Sequence, residues 1–198
     1  MGKPFSQACE NNKRPILEVL QRRLGDVSSV LEIGSGTGQH AVFFAEQLPH
    51  LQWRTSDLVE NHAAIRQWID DAKLPNVLAP VALDVTEPHW PIGPVPAVFS
   101  ANTAHIMAWP VVQAFLQGVG RVLAPGGLFL LYGPFNYEGG YTSESNARFD
   151  EWLAQRDPES AIRHFEDVER ESRTAGLSLV EDVAMPANNR LLVWRAAG

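Results

Sequence analysis

The chain has one cysteine, Cys9, among 198 residues. A disulfide framework within the chain and any zinc site built on several cysteines are therefore excluded, and a lone thiol is what a reducing compartment, the cytoplasm, leads one to expect. Long apolar runs are missing as well. No stretch approaches the roughly 18 consecutive apolar residues that mark a membrane-crossing helix, and Met1 to Ser6 holds no basic region leading into an apolar one, so neither a spanning segment nor an export signal is expected. Basic residues are in deficit. Sixteen Lys and Arg against 23 Asp and Glu give a formal net charge of -7, the wrong sign for general attraction to nucleic acid or to anionic membranes. The histidines at 40, 50, 62, 89, 105 and 164 show none of the paired spacings of zinc sites, and no metal is expected. Repeats and low-complexity tracts are absent from the chain. What remains is 45% hydrophobic and 20% charged residues, enough for one core, in a length that suits a single domain over residues 1–198.

Hydrophobic periodicity then alternates along the chain. Ile16, Leu17, Leu20 and Leu24 predict a helix over 14–24, with Pro15 in its first turn and Gly25 beyond its end. Val30 to Ile33 reads as a buried strand, followed by a glycine-rich turn and a helix bearing Ala41, Phe44, Ala45 and Leu48. The unit repeats with a strand over 51–56 and a helix carrying Ile65, Trp68, Ile69 and Ala72. Further strands are expected over 77–83, 97–101 and 128–132, a helix over 110–123, and helices over 144–156 and about 160–174. Segments 177–183 and 191–194 read as two closing strands around a short polar loop. Alternation with helical crossovers returns successive strands parallel, whereas the short last loop makes the final pair antiparallel. The expected fold class is α/β, a Rossmann-like doubly wound sheet with ligands at the carboxyl ends of its strands.

The sharpest motif is Glu32-Ile33-Gly34-Ser35-Gly36-Thr37-Gly38-Gln39, at a strand end and before a helix. Glycines there let the backbone turn tightly and approach a ligand. Dinucleotide binding calls for G-x-G-x-x-G, and position 39 is Gln, so the spacing departs from that fingerprint. Glu32 lies in an apolar strand, where an unpartnered carboxylate would be costly, so it is expected to be paired or to face a ligand. Asp57 closes the second strand, placed to accept hydrogen bonds from ribose hydroxyls, and Asp84 closes the third. Three acids at adjacent strand ends repel phosphate and suit a cationic nucleoside. S-adenosylmethionine has a sulfonium, an ammonium and a ribose, and no phosphate.

With these residues in place, the chain resembles a class I S-adenosylmethionine-dependent methyltransferase over its whole length. The resemblance implies a seven-stranded sheet of order 3-2-1-4-5-7-6. It puts Gly34, Gly36 and Gly38, with Ser35 and Thr37 of the same loop, beside the methionine moiety, Asp57 on the ribose and Asp84 near the adenine amino group. Leu58 and Val85, which follow the matched acids, are expected to line the adenine, and Glu32 is expected among the cofactor-binding residues. Cys9-Glu10-Asn11-Asn12-Lys13, Pro134-Phe135-Asn136-Tyr137 and Pro186-Ala187-Asn188-Asn189-Arg190 further resemble the methyltransferase-like 26 family. Residues 1–26 are then expected to form a segment and helix over the cofactor cleft.

Methyl transfer from a sulfonium is an in-line displacement, so the protein mainly orients the acceptor, with a base useful where the acceptor sheds a proton. Asn102 and His105 after the fourth strand, and Tyr137 and Tyr141 after the fifth, are the expected acceptor-side contacts, Asn102 also reaching the cofactor. Ala101-Asn102-Thr103-Ala104 lacks the Asn-Pro-Pro-aromatic pattern of many methyltransferases acting on nucleic-acid bases or protein amides. A small-molecule acceptor is expected. A non-catalytic protein that keeps the fold and the ligand, and a nicotinamide-dependent oxidoreductase, stand as alternatives.

Overall fold

The computed structural model describes residues 2–198. Its helices are α1 (Gln7–Arg23), α2 (Gln39–Gln47), α3 (His62–Ala72), α4 (Trp109–Val122), α5 (Glu144–Arg156) and α6 (Phe165–Thr174). Strands β1 (Ser29–Ile33), β2 (Gln52–Asp57), β3 (Val77–Ala82), β4 (Val95–Ala101), β5 (Leu123–Gly133), β8 (Leu177–Met185) and β9 (Asn189–Ala196) form one seven-stranded sheet, and β6 (Phe135–Asn136) pairs with β7 (Arg163–His164) in a small one. The main sheet runs β3-β2-β1-β4-β5-β9-β8, parallel through β5 and antiparallel in the terminal pair. This is the expected order, the closing strands being sixth and seventh in the main sheet.

Strand residues alternate between two cores because successive side chains point to opposite faces. Val30, Phe99, Leu128 and Leu130 pack with α1 and α2, while Leu31, Val98, Phe129 and Leu131 pack with α4 and α6. Both faces are covered, so the strands read as near-continuous apolar runs.

Several boundaries differ from the sequence reading, for physical reasons. Helix α1 starts at Gln7, where Ser6 caps it by accepting from the Cys9 N–H, and Pro15 therefore lies inside the helix rather than in its first turn. The segment Gln7 to Lys13 is polar and shows no apolar stripe, which hid the first half of the helix. Strand β3 ends at Ala82, leaving Asp84 in the following loop. Helix α6 begins only at Phe165, because residues 163–164 are drawn into the small sheet.

Candidate active site

The loop between β1 and α2 is held from both sides. Gly34 has φ 73°, and a Cβ there would stand 2.6 Å from Thr103 Cγ2, so a close approach to the loop after β4 requires glycine. The N–H of Gly36 donates to Asp57 Oδ2 at 2.8 Å, tying the loop to the end of β2. Gly38 has φ 91° and packs against α3, where a Cβ would lie 3.1 Å from the Ile65 Cα. Its role is helix contact rather than lining. Asp57 Oδ1 accepts from the Leu58 N–H and from Asn61 Nδ2, each at 2.8 Å, so Oδ2 is the less occupied oxygen.

Glu32 sits under this loop, 2% exposed, and accepts from Trp53 Nε1 at 3.2 Å. Burial pushes its carboxyl up to about 7, hydrogen bonds from Ser35 and Trp53 pull the other way, and the charge of Asp57 adds to the rise. It does not line a cavity here but supports the loop from beneath.

Above the loop is a cavity of about 520 Å³, lined by Gly34, Ser35, Gly36, Thr37, Asp57, Leu58, Asp84, Val85 and Asn102 among others. That volume falls in the range of small-molecule sites. Ser6, Ala8 and Cys9, from the N-cap and first turn of α1, line it as well. Asp84 is exposed and accepts from the Thr86 N–H and hydroxyl, and the hydroxyl bond holds its carboxyl below the usual range. Among the described residues no Lys or Arg lines this cavity. His40 also faces it, its Nε2 2.7 Å from Asn12 Oδ1, and burial holds the ring down to about 4 and hence neutral.

A larger cavity of about 1050 Å³ adjoins the first, the two sharing Ser6, Ala8, Asn102 and Ile106. Asn102 stands at this junction with φ 59°, a left-handed conformation that asparagine tolerates better than most residues. Among the described residues its side-chain amide has no protein hydrogen bond. His105, 7% exposed, lines the larger lobe with its ring nitrogens likewise free of protein partners among the described residues. Burial and the nearby Arg163 hold that ring down to about 4. Tyr132 contributes a phenol that burial pushes up to about 12, so it stays protonated.

The loop carrying these groups is gripped along its backbone. Arg163 Nε donates to the Ala104 carbonyl at 3.2 Å, the Ala161 N–H to that of His105 at 3.0 Å, the Ser160 hydroxyl to that of Ile106 at 3.4 Å, and Arg163 Nη2 to that of Met107. Four successive carbonyls are thus satisfied by residues 160–163.

Of the residues singled out from sequence, the structure brings together the glycine loop, Asp57, Leu58, Asp84, Val85, Asn102 and His105. Tyr137 and Tyr141 stand elsewhere. The Tyr137 hydroxyl donates to Asp182, and its ring stacks on Phe165 and carries Arg190, outside both lobes. The Tyr141 hydroxyl donates to Asp150 at 2.7 Å beside a separate cavity of about 350 Å³. Sequence reasoning missed Phe149, Trp152 and Arg156 of α5, which wall the larger lobe. Their apolar members carried the signal of a core stripe. Among the described residues no group of three His, Cys, Asp or Glu is placed to hold a metal ion, and no helix is long and apolar enough to cross a membrane.

Solved structures share this architecture. An O-methyltransferase family protein from Burkholderia thailandensis matches with a TM-score of 0.83 at 16% identity, over 94% of this chain and 56% of its own. Human N-acetylserotonin methyltransferase in complex with S-adenosylmethionine matches with a TM-score of 0.83 at 15% identity, over 97% of this chain and 53% of its own. The apo form of the S-adenosylmethionine-dependent methyltransferase SibL matches with a TM-score of 0.82 at 23% identity, over 96% and 56%. The chain spans little more than half the length of these proteins, and the likeness establishes a class I methyltransferase fold. Residues 3–196 match the family described as a protein of unknown function, DUF938, and the chain belongs to that family.

Proposed function

We propose that the protein is an S-adenosylmethionine-dependent methyltransferase acting on a small molecule. The observation that carries this reading is the wall of the smaller cavity, which presents the carboxylates of Asp57 and Asp84 beside a glycine loop and, among the described residues, no Lys or Arg. A cationic nucleoside fits such a wall. A pyrophosphate would face two uncompensated carboxylates. The matched structures are described as methyltransferases and one is in complex with S-adenosylmethionine, which supports the cofactor. The irregular motifs at 9–13, 134–137 and 186–190 favour the methyltransferase-like 26 family within this class.

In this reading Gly34, Ser35, Gly36 and Thr37 approach the amino-acid end of the nucleoside, Oδ2 of Asp57 takes a ribose hydroxyl, and Leu58, Asp84 and Val85 surround the base. Glu32 and Gly38 hold the loop in shape. S-adenosylmethionine supplies, when bound, a sulfonium methyl group that is already electrophilic. The chain's own work is orientation and the exclusion of water. Asn102, unpaired at the junction of the lobes, is placed to fix the acceptor, and neutral His105, a weak base at about 4, can take the hydroxyl proton as the new oxygen–carbon bond forms and the hydroxyl turns acidic. The net charge of -7 and the acidic cavity favour a small acceptor over nucleic acid, and the single thiol favours the cytoplasm.

The test is incubation with methyl-labelled S-adenosylmethionine and a metabolite extract, followed by identification of labelled product. Labelled small molecules are expected. The variant His105→Gln is expected to lower turnover of the identified acceptor by on the order of 100-fold while leaving cofactor affinity unchanged. Binding of the cofactor without any labelled product would make the protein a non-catalytic binder.

A further inference from the structure

The larger lobe changes character along its length, and this deepens the reading just given, on which it rests. Its inner end, at Asn102, His105 and Tyr132, offers hydrogen-bonding groups without charge. Burial keeps the imidazole neutral and the phenol protonated there. The charged residues lining the lobe are Arg156 and Asp157. The carboxylate of Asp157 is already engaged, accepting from the Glu159 N–H at 3.0 Å and from the Ser160 hydroxyl at 3.4 Å. Arg156 is exposed, and among the described residues its guanidinium has no carboxylate or carbonyl partner.

Between these ends runs an aromatic track. The His105 ring meets Phe149 edge-on at 5.4 Å, Phe149 stacks on Trp152 at 5.7 Å with planes 18° apart, and the Arg156 guanidinium lies 4.7 Å over the Trp152 ring. Positions 149, 152 and 156 form one stripe of α5. From the first to the last of them the helix rises by roughly 10 Å. Trp152 lines the lobe and is 46% exposed.

We propose that the acceptor is a hydroxylated aromatic carboxylic acid: its uncharged hydroxyl end lies between Asn102 and His105, its flat body against Phe149 and Trp152, and its carboxylate on Arg156. A planar guanidinium fork matches a carboxylate, and its stacking on an indole leaves the N–H edge free to bind. An ammonium at the inner end finds no carboxylate partner there. An uncharged acceptor would leave Arg156 without a role in recognition. In the transfer, the acceptor oxygen bonds the methyl carbon as the carbon–sulfur bond breaks with both electrons left on sulfur, and the hydroxyl proton passes to His105.

The experiment uses matched pairs of a carboxylic acid and its carboxamide on hydroxylated naphthalene, indole and cinnamic scaffolds, titrated calorimetrically into the full chain with S-adenosylhomocysteine present. At least one acid is expected to bind roughly five- to tenfold more tightly than its carboxamide. That preference is expected to vanish in Arg156→Gln and to survive in part in Arg156→Lys, which keeps the charge without the fork. Acids that bind no better than their carboxamides, acids that do not bind, or a preference that persists in Arg156→Gln would each overturn the proposal. S-adenosylmethionine titrated into the same wild-type samples reads the underlying function separately: its failure to bind would remove the methyltransferase reading itself, while its binding alongside indifferent acids and amides would remove only this acceptor class.

Discussion

Glu32 carries the least expected chemistry at the scale of single residues. Its carboxyl is raised from 4.5 to about 7 by burial, so the folded chain holds a proton that the unfolded chain releases between those values. Stability from this group is full below about pH 4.5 and is lost as pH rises through about 7. The loss amounts to about 3 kcal/mol. His40 acts in the opposite direction, since its depressed value means stability present above 6.5 and lost as pH falls toward about 4. Glu32→Gln keeps an acceptor for the Trp53 N–H and cannot ionise, and the histidine contribution cancels between variant and wild type. Urea unfolding is therefore expected to show the variant gaining on wild type by about 3 kcal/mol as pH is raised from 4.5 to above 7. A difference independent of pH would contradict the burial argument.

Among secondary-structure elements, the pairing of residues 160–163 with the loop after β4 is what fixes His105, while the Asn102 N–H is held by the Tyr132 carbonyl of β5. Arg163 is a positioning residue in this account, since it reaches the site through the carbonyls of Ala104 and Met107. Arg163→Ala is expected to lower turnover of the identified acceptor by on the order of tenfold, with cofactor affinity little changed, because small displacements of a reacting group are costly. Arg163→Lys, which retains a single donor nitrogen in place of the two that hold these carbonyls, should recover part of that rate. Rates that fall only in step with the folded fraction of Arg163→Ala would make the clamp purely structural.

These elements also show what a sequence can and cannot reveal. The main sheet was legible because its strands are buried on both faces and separated by helix-length crossovers, and the loop at Gly34 was legible because glycines and Asp57 sit at fixed distances from β1. Tyr137 and Tyr141 were misplaced for a reason outside local pattern: the chain after β5 pairs with β7 and turns away from the cleft. Two-residue strands such as β6 and β7 have no periodicity to detect. Phe149 and Trp152 read as core positions of an amphipathic helix, and only the tertiary placement of α5 turns them toward a cavity. Likewise Gly38 looked like a cofactor contact from its spacing, whereas the proximity of α3 gives it a packing role.

At the scale of the whole molecule, a net charge of -7 is joined to a cleft whose smaller lobe is acidic and whose larger lobe is neutral inside with a guanidinium at one end. This distribution favours a cationic nucleoside on one side of Asn102 and an uncharged reacting group on the other. The measurement that tests this most directly is calorimetric titration of S-adenosylmethionine and of NAD into wild type and Asp57→Ala. Wild type is expected to bind S-adenosylmethionine and not NAD, and Asp57→Ala to weaken that binding by about 1.5–3 kcal/mol, roughly ten- to a hundredfold. Binding of NAD in preference to S-adenosylmethionine, or an affinity for S-adenosylmethionine indifferent to the loss of Asp57, would contradict it.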